Sequence, residues 1–197
     1  KTQVDVMRRA TESLIKQGVA KSALGVNDKT PLFELPNANG KSIAIRDLLD
    51  AGPAVLTFYR GGWCPYCNLE LRAYQKSLAE LNALGARLVA ISPELPDSAL
   101  SNKEKLALEF EVLSDVGNKV ARQFGLVVKM SAELVEVYRQ LGSDIPAHNG
   151  DDSWELPLPA TYVIARNGKI VFAYVNVDYL QRIDPQEVIE ELKKCCR

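Results

Sequence analysis

Apolar residues near the start of the chain recur at the spacing of an amphipathic helix. Val4, Met7, Ala10 and Leu14 lie three or four positions apart within residues 2–17, so their side chains share one helical face. Such a face needs a surface to lie on. We therefore predict an N-terminal helical extension within residues 1–26, packed either on the domain formed by residues 27–197 or on a second subunit.

A short apolar run and a long helix with one apolar face come next. Residues 55–59 are aliphatic, β-branched or aromatic and stop just before two glycines, as expected for a buried strand. The helix that follows carries apolar side chains at steps of three and four: Cys67, Leu71, Tyr74, Leu78 and Leu81. Another apolar run at residues 87–92 completes a βαβ unit. This pattern predicts two parallel strands joined by a right-handed crossover.

Turn signals divide the rest of the chain. Asn39-Gly40 and Asn167-Gly168 each separate two short apolar runs and predict β-hairpins. Residues 95–141 are mainly helical in pattern and form an insertion. Residues 142–159 are the least regular stretch and are expected to be a functional loop, an oligomer contact or a plain surface loop. The predicted fold is α/β, with a central mixed sheet flanked by helices and order β-α-β, helical insertion, β-β-α.

The long helix begins at a C-x-x-C motif formed by Cys64 and Cys67. Pro65 suits the first turn of a helix, because the N–H that proline lacks has no partner there. A thiol at this end faces unpaired backbone N–H groups and the positive end of the helix dipole, which favour the thiolate. Two cysteines one turn apart can also close a disulfide. The motif predicts a redox dithiol, with Cys64 accessible at the cap and Cys67 facing the core.

A zinc site is the main alternative for two cysteines at this spacing. It needs a second pair of ligands, and the remaining donors are His148 and the adjacent pair Cys195 and Cys196. Adjacent residues rarely both reach one tetrahedral ion, and the proline inside the motif favours redox chemistry. We therefore predict no metal and no cofactor.

Composition narrows the class of protein further. With 197 residues, of which 47% are hydrophobic, the chain can bury one ordinary core. Its net charge of -1 gives no electrostatic reason to bind nucleic acid or an anionic membrane. No apolar stretch approaches the ~20 residues of a membrane span. Four cysteines are too few for a disulfide scaffold, so we expect a reducing compartment, the cytoplasm by default.

The chain resembles thioredoxin-fold proteins and, more narrowly, the peroxiredoxin-like branch of the AhpC/TSA redoxins. The resemblance starts near Asn27 and is carried by F-Y-R-G-G-W-C-P-Y-C-N-L-E-L, L-V-A-I-S-P, L-P-L-P-A-T-Y-V-I and N-G-K-I. It implies that a cysteine attacks hydrogen peroxide or an organic hydroperoxide to give a sulfenic acid, which a second thiol resolves. A thioredoxin-like or glutathione-type reductant would then reopen the disulfide.

The active-site pattern departs from the one usual in peroxiredoxins. Where that pattern has proline, threonine and a later arginine, this chain has Arg60, Cys64 and Pro159, while Cys67 takes the peroxidatic place. Pro159 stands in a Pro-Ala-Thr context similar to that of the cis-proline of thioredoxins. The peroxiredoxin alignment therefore favours attack on peroxide by Cys67 with Cys64 resolving. Helix geometry and the thioredoxin resemblance favour attack on a protein disulfide by Cys64 with Cys67 resolving.

Several neighbouring residues have two interpretations. Arg60 either supplies a cation to the thiolate, or stands in for the missing arginine, or is a solvated residue at a strand end. Trp63 is expected to shield the site. Cys195 and Cys196 would resolve a sulfenic acid, bridge to another subunit or have no role, with Cys195 packed on the last helix.

The alternative functions are a protein disulfide reductase and a redox sensor. Exposed strand edges and the N-terminal helix offer surfaces through which the chain could form a homodimer.

Overall fold

The computed structural model describes residues 2–195, and its core is one five-stranded mixed sheet. The sheet has the order β5-β4-β3-β8-β9, and two small two-stranded sheets, β1-β2 and β6-β7, stand beside it. The strands are β1 Glu34–Pro36, β2 Ser42–Ala44, β3 Ala54–Phe58, β4 Arg87–Ser92, β5 Glu111–Ser114, β6 Val127–Lys129, β7 Glu155–Pro157, β8 Ala160–Ile164 and β9 Ile170–Val175. The helices are α1 Gln3–Gln17, α2 Ile45–Ala51, α3 Pro65–Ala83, α4 Pro96–Lys105, α5 Lys119–Gln123, α6 Ala132–Gln140, α7 Ile145–Asn149 and α8 Pro185–Cys195.

The strand β3 lies at the centre of this sheet because every one of its side chains is apolar or paired in the core. All five residues are buried. β3 pairs in parallel with β4 and antiparallel with β8. The predicted βαβ unit is therefore confirmed, with α3 as its crossover helix. The two predicted hairpins are confirmed as β1-β2 and β8-β9.

Apolar side chains on the two faces of the sheet form two separate core clusters. One cluster joins the sheet to α3 and α8 and contains both cysteines of the motif. The other joins it to α2 and α5 and includes the rings of Phe58, Phe124 and Tyr162, whose centroids are 4.9 to 6.2 Å apart. The protein is thus a helix–sheet–helix sandwich of the thioredoxin type, as predicted.

The predicted N-terminal helix is present and packs on its own chain. Thr2 caps α1 by accepting the backbone N–H of Asp5, and Arg9 forms a 2.8 Å ion pair with Glu133 of α6. Val6, one position from the predicted stripe, is the buried residue of the helix. We had considered two surfaces for this helix, the domain of its own chain and a second subunit. The structure shows that α1 packs on the domain of its own chain.

The irregular stretch 142–159 is more ordered than its sequence suggests. It contains α7 and β7, and Asp144 caps α7 by accepting the N–H of Ala147 at 3.1 Å. Trp154 is buried in a third, small cluster with Tyr138, Ile145 and Leu156. The interpretation of this stretch as a plain surface loop is therefore wrong, because its large apolar side chains are used for packing. No helix among residues 2–195 is both long and apolar enough to cross a membrane.

Candidate active site

The loop between β3 and α3 depends on two glycines. Gly61 has φ +148°, and a Cβ there would collide with the indole of Trp63, which folds back over it. A Cβ on Gly62 would collide with Asn102. The Gly62 N–H donates to a carboxylate oxygen of Glu94 at 2.9 Å, and the Gly61 carbonyl accepts the N–H of Cys64 at 3.1 Å. These contacts fix the path of the chain into the helix.

Cys64 occupies the N-cap of α3, and Pro65 is the first helical residue, as predicted. The expectation that Cys64 is accessible is wrong: its exposed fraction is 2%, and that of Cys67 is 0%. The reason is that Arg60 lies against the Cys64 sulfur and aromatic rings cover Arg60. Any substrate must therefore reach the Cys64 sulfur through an opening between these covering side chains, or after the side chains have moved.

The two thiols differ strongly in acidity. The hydrogen bond from the Cys67 thiol, together with the charge of Arg60 and the Cys67 backbone N–H, lowers the pKa of Cys64 to about 5, although burial acts in the opposite direction. Complete burial raises the pKa of Cys67 well above its usual value. In the reduced protein near neutral pH, Cys64 is therefore the thiolate and Cys67 the thiol that donates to it.

Arg60 is a buried cation held by aromatic rings. Its exposed fraction is 6%, so the interpretation as a solvated strand-end residue is wrong. One Nη lies 3.9 Å from Cys64 Sγ, and the other donates to the hydroxyl of Tyr138 at 2.6 Å. The guanidinium carbon lies 5.0 Å from the ring centroid of Trp63 and 4.5 Å from that of Tyr179. These contacts keep the positive charge beside the thiolate.

A second arginine, which sequence reasoning missed, stands beside Cys67. Arg182 places Nη2 3.4 Å from Cys67 Sγ, and its Nη1 donates to the carboxylate of Glu70. Burial raises the pKa of Glu70 to about 7, while Arg182 acts to lower it. Glu70 had a weak sequence signal, since it follows Cys67 by three positions on the same helical face. Arg182 had none, because it comes from the loop before α8.

Pro159, which stands in the place of the usual arginine, and Trp63, which was expected to shield the site, were both predicted to line the substrate pocket, and the structure places them differently. Pro159 lines a cavity of about 410 Å³, together with Arg60 and Tyr179. Within residues 2–195 every peptide bond is trans, so Pro159 does not share the cis geometry of the thioredoxin proline. Trp63 lies outside that wall and packs edge-on against Tyr138, with 5.5 Å between ring centroids. It thus covers the guanidinium side of the site, as predicted for a shielding residue.

The remaining predicted residues lie further from the motif. Cys195 is half-buried at the end of α8, packs against the core cluster that contains both motif cysteines, and directs Sγ toward the carbonyl of Leu192 at 3.3 Å. Cys196 lies outside the described residues. His148 faces Glu94, with Nδ1 3.4 Å from the carboxylate. Between residues 2 and 195, no three His, Cys, Asp or Glu side chains gather as a metal site would require.

Comparison with known proteins supplies the context for this geometry. The family described as AhpC/TSA matches residues 26–173. The chain is 27% identical over 164 residues to the chloroplastic peroxiredoxin Q of Gentiana triflora, covering 83% of this chain and 63% of that protein. It is 35% identical over 104 residues to the putative peroxiredoxin bcp of Haemophilus influenzae, covering 52% of this chain and 66% of that one. The chain thus spans just under two thirds of the plant relative.

Solved structures give the same fold. The peroxidoxin BcpB of Mycobacterium tuberculosis superimposes with a TM-score of 0.69 at 22% identity, covering 87% of this chain and 97% of that one. A mutant of PrxQ from Xylella fastidiosa gives a TM-score of 0.70 at 16% identity, with 89% and 99% covered. At these identities the likeness concerns the arrangement of strands and helices.

Proposed function

We propose, because this chain belongs to the AhpC/TSA family, that it is a thiol-dependent peroxidase in which the Cys64–Cys67 pair reduces hydroperoxides. The observation that carries the proposal is the asymmetric pair itself. One buried sulfur is a thiolate at neutral pH beside an arginine, and its partner is a thiol that donates to it. Names of relatives, such as peroxiredoxin Q of Gentiana triflora, support the same activity.

In the first step the Cys64 thiolate attacks the terminal oxygen of a hydroperoxide R–O–O–H. The sulfur–oxygen bond forms as the oxygen–oxygen bond breaks, which leaves a sulfenic acid on Cys64 and an alkoxide that takes a proton from water. Arg60 is 3.9 Å from the sulfur, so its charge also lies close to the oxygen on which negative charge develops. A positioned cation of this kind stabilises the transition state.

In the second step Cys67 resolves the sulfenic acid. Its thiol loses a proton, the resulting thiolate attacks the Cys64 sulfur, a disulfide forms, and the hydroxide that leaves combines with the proton as water. Arg182, 3.4 Å from the Cys67 sulfur, offsets the charge of the thiolate as it appears, and Glu70 holds that arginine in place. An external reductant of the thioredoxin or glutathione class then supplies two thiols to reopen the disulfide.

Reduction of protein disulfides is the second candidate, since a low-pKa cysteine at a helix N-terminus would serve it too. Burial speaks against it, because a protein disulfide must contact the attacking sulfur directly and Cys64 is 2% exposed. A small hydroperoxide needs far less room.

As the compartment of the protein we propose the cytoplasm, on the argument from cysteine usage alone.

The test is peroxide consumption with a thioredoxin, thioredoxin reductase and NADPH system. We expect Cys64→Ser to be inactive, and Cys67→Ser to consume one equivalent and then stop with a sulfenic acid that dimedone traps at Cys64. The double variant Cys195→Ser/Cys196→Ser measures whether either of these thiols takes part in resolution. If Cys64→Ser instead consumes one equivalent and Cys67→Ser none, Cys67 is the attacking residue. Disulfide reduction without any peroxide consumption would replace the proposal by its rival.

A further inference from the structure

The guanidinium of Arg60 joins the attacking sulfur to a tyrosine hydroxyl. One Nη lies 3.9 Å from Cys64 Sγ, and the other donates to the hydroxyl oxygen of Tyr138 at 2.6 Å. Because the guanidinium is planar and holds its donors in a fixed geometry, these two contacts keep the hydroxyl at a defined place relative to the sulfur. The hydroxyl therefore stands on the same cation that stabilises the leaving oxygen in the first step.

The Tyr138 hydroxyl still has its own proton to give. A phenolic hydroxyl can accept one hydrogen bond and donate another, whereas guanidinium nitrogens only donate. The contact with Arg60 therefore uses a lone pair of the Tyr138 oxygen and leaves the O–H directed elsewhere. In the part of the chain from residue 2 to residue 195, the structure gives this O–H no acceptor. A peroxide bound between Cys64 and Tyr138 can receive that proton.

The ring of Tyr138 is fixed by packing. Its exposed fraction is 5%. The ring lies edge-on against Trp63, with 5.5 Å between centroids, and belongs to the small core cluster that contains Trp154. Cys64 and Arg60 are buried as well. The leaving oxygen thus forms among buried groups, where a proton donor of the protein is already in position and bulk water must first enter.

We propose that Tyr138 is a further catalytic residue, the general acid that protonates the oxygen leaving the peroxide. The proposal rests on the peroxidase function proposed above. As the Cys64 sulfur bonds to one oxygen and the oxygen–oxygen bond breaks, the Tyr138 O–H transfers its proton to the departing oxygen, which gives R–O–H and a tyrosinate. The hydrogen bond from Arg60 stabilises that anion. Water then returns a proton to the tyrosinate and becomes hydroxide, so the proton comes from water in the net reaction.

The need for this proton depends on the leaving group. Hydrogen peroxide expels hydroxide and an alkyl hydroperoxide expels an alkoxide, both strong bases whose departure a general acid assists. Peracetic acid expels acetate, a weak base that departs without a proton. Cys64 attacks a terminal oxygen in every case. A comparison of these substrates therefore separates proton donation from the positioning of Arg60 and Cys64, on which all of them depend.

The test compares Tyr138→Phe with the unaltered protein in single turnovers with hydrogen peroxide and with peracetic acid. The reaction is followed by intrinsic fluorescence, because Trp63 is next to Cys64 in the chain. General acid catalysis contributes roughly 10²–10⁴-fold, so we expect the hydrogen peroxide rate to fall by about 100-fold and the peracetic acid rate to stay close to its wild-type value. An equal fall with both oxidants would show that Tyr138 only positions Arg60, and no fall with either would show that it has no role; each result overturns the proposal.

Tyr162→Phe is the matched control. Tyr162 is also a buried tyrosine, but it belongs to the core cluster on the face of the sheet opposite Cys64. Removal of its hydroxyl should leave both rates unchanged. The same selective loss in Tyr162→Phe as in Tyr138→Phe would contradict the assignment.

A measurement on the unaltered protein keeps the proposal testable even if Tyr138→Phe does not fold. At a pH well above the Cys64 pKa of about 5, the thiolate is fully formed in both H2O and D2O. Because the proton moves as the oxygen–oxygen bond breaks, the hydrogen peroxide rate should be lower in D2O, while the peracetic acid rate is the same in both solvents. Equal hydrogen peroxide rates in the two solvents would overturn the proposal.

These measurements also separate this inference from the function on which it rests. An unaltered protein that reacts with neither oxidant would refute the peroxidase function itself. Rapid reaction of the unaltered protein with both oxidants, without a selective loss in folded Tyr138→Phe, would uphold the peroxidase and refute only the role of Tyr138.

Discussion

Replacing Arg60 by methionine is expected to raise the pKa of the Cys64 thiol while leaving the fold intact. Methionine has a similar length, and it leaves no unpaired charge in the buried position. The measurement is cleanest in a Cys67→Ser background, where the serine hydroxyl still donates a hydrogen bond to the Cys64 sulfur but cannot form a disulfide. Tyr138→Phe serves as a control, because it removes a partner of Arg60 and keeps the charge.

The size of the effect follows from the distance between charge and sulfur. Two unit charges about 4 Å apart interact by ~4 kcal/mol at an effective dielectric constant near 20, which corresponds to about 3 pKa units. The hydrogen bond from residue 67 contributes more to the low pKa of Cys64 than Arg60 does, and it remains in this variant. A nearby opposite charge usually shifts a pKa by about 1–3 units. The pKa of Cys64, about 5 with Arg60 present, should therefore rise to roughly 6–8.

The assay is the rate of alkylation by iodoacetamide as a function of pH, followed by mass spectrometry on the peptide that contains Cys64. Reading that peptide excludes signals from the two C-terminal cysteines. Arg182→Met is the matched comparison, since Arg182 contacts Cys67 and contributes less to the Cys64 pKa than Arg60 does; its shift should be smaller. An unchanged alkylation pKa in folded Arg60→Met protein, or a larger shift with Arg182→Met, would refute the reasoning.

Three further predictions concern stability. Phe124→Ala empties a fully buried ring position between two other rings and should lower the free energy of unfolding by about 3–5 kcal/mol in urea titrations. Gly125→Ala places a Cβ against the Ser22 carbonyl at φ +71° and should cost more than about 1 kcal/mol in the same assay; no change would refute the backbone argument. The nearby carboxylate of Glu94 raises the pKa of His148. The stabilisation that this contact gives the folded protein is therefore complete below pH 6.5, the usual pKa of histidine, and is lost as pH rises through the folded pKa. His148→Ala should therefore destabilise the protein more at a pH of about 5.5 than at about 9, and equal losses at both pH values would contradict the ion pair.

Local sequence patterns predicted the elements that carry the thiols. The run before the two glycines is β3, and the stripe that includes Leu71 and Leu81 is the buried face of α3. These predictions succeeded because strand and helix periodicity act between residues that are close in the chain. The same local rule misjudged the exposure of Cys64, since a cap position is exposed only if nothing packs over it.

The sequence by itself determined that a dithiol stands at the start of a helix, within a thioredoxin-type α/β fold. The tertiary structure decided what surrounds that dithiol. Arg182 and Cys67 are 115 positions apart, and Arg60 and Tyr138 are 78 apart. Contacts over such separations depend on how the sheet and its loops bring distant segments together, which no short-range periodicity records. The acidity of Cys64 depends on these contacts, because charge and burial act through space and not along the chain.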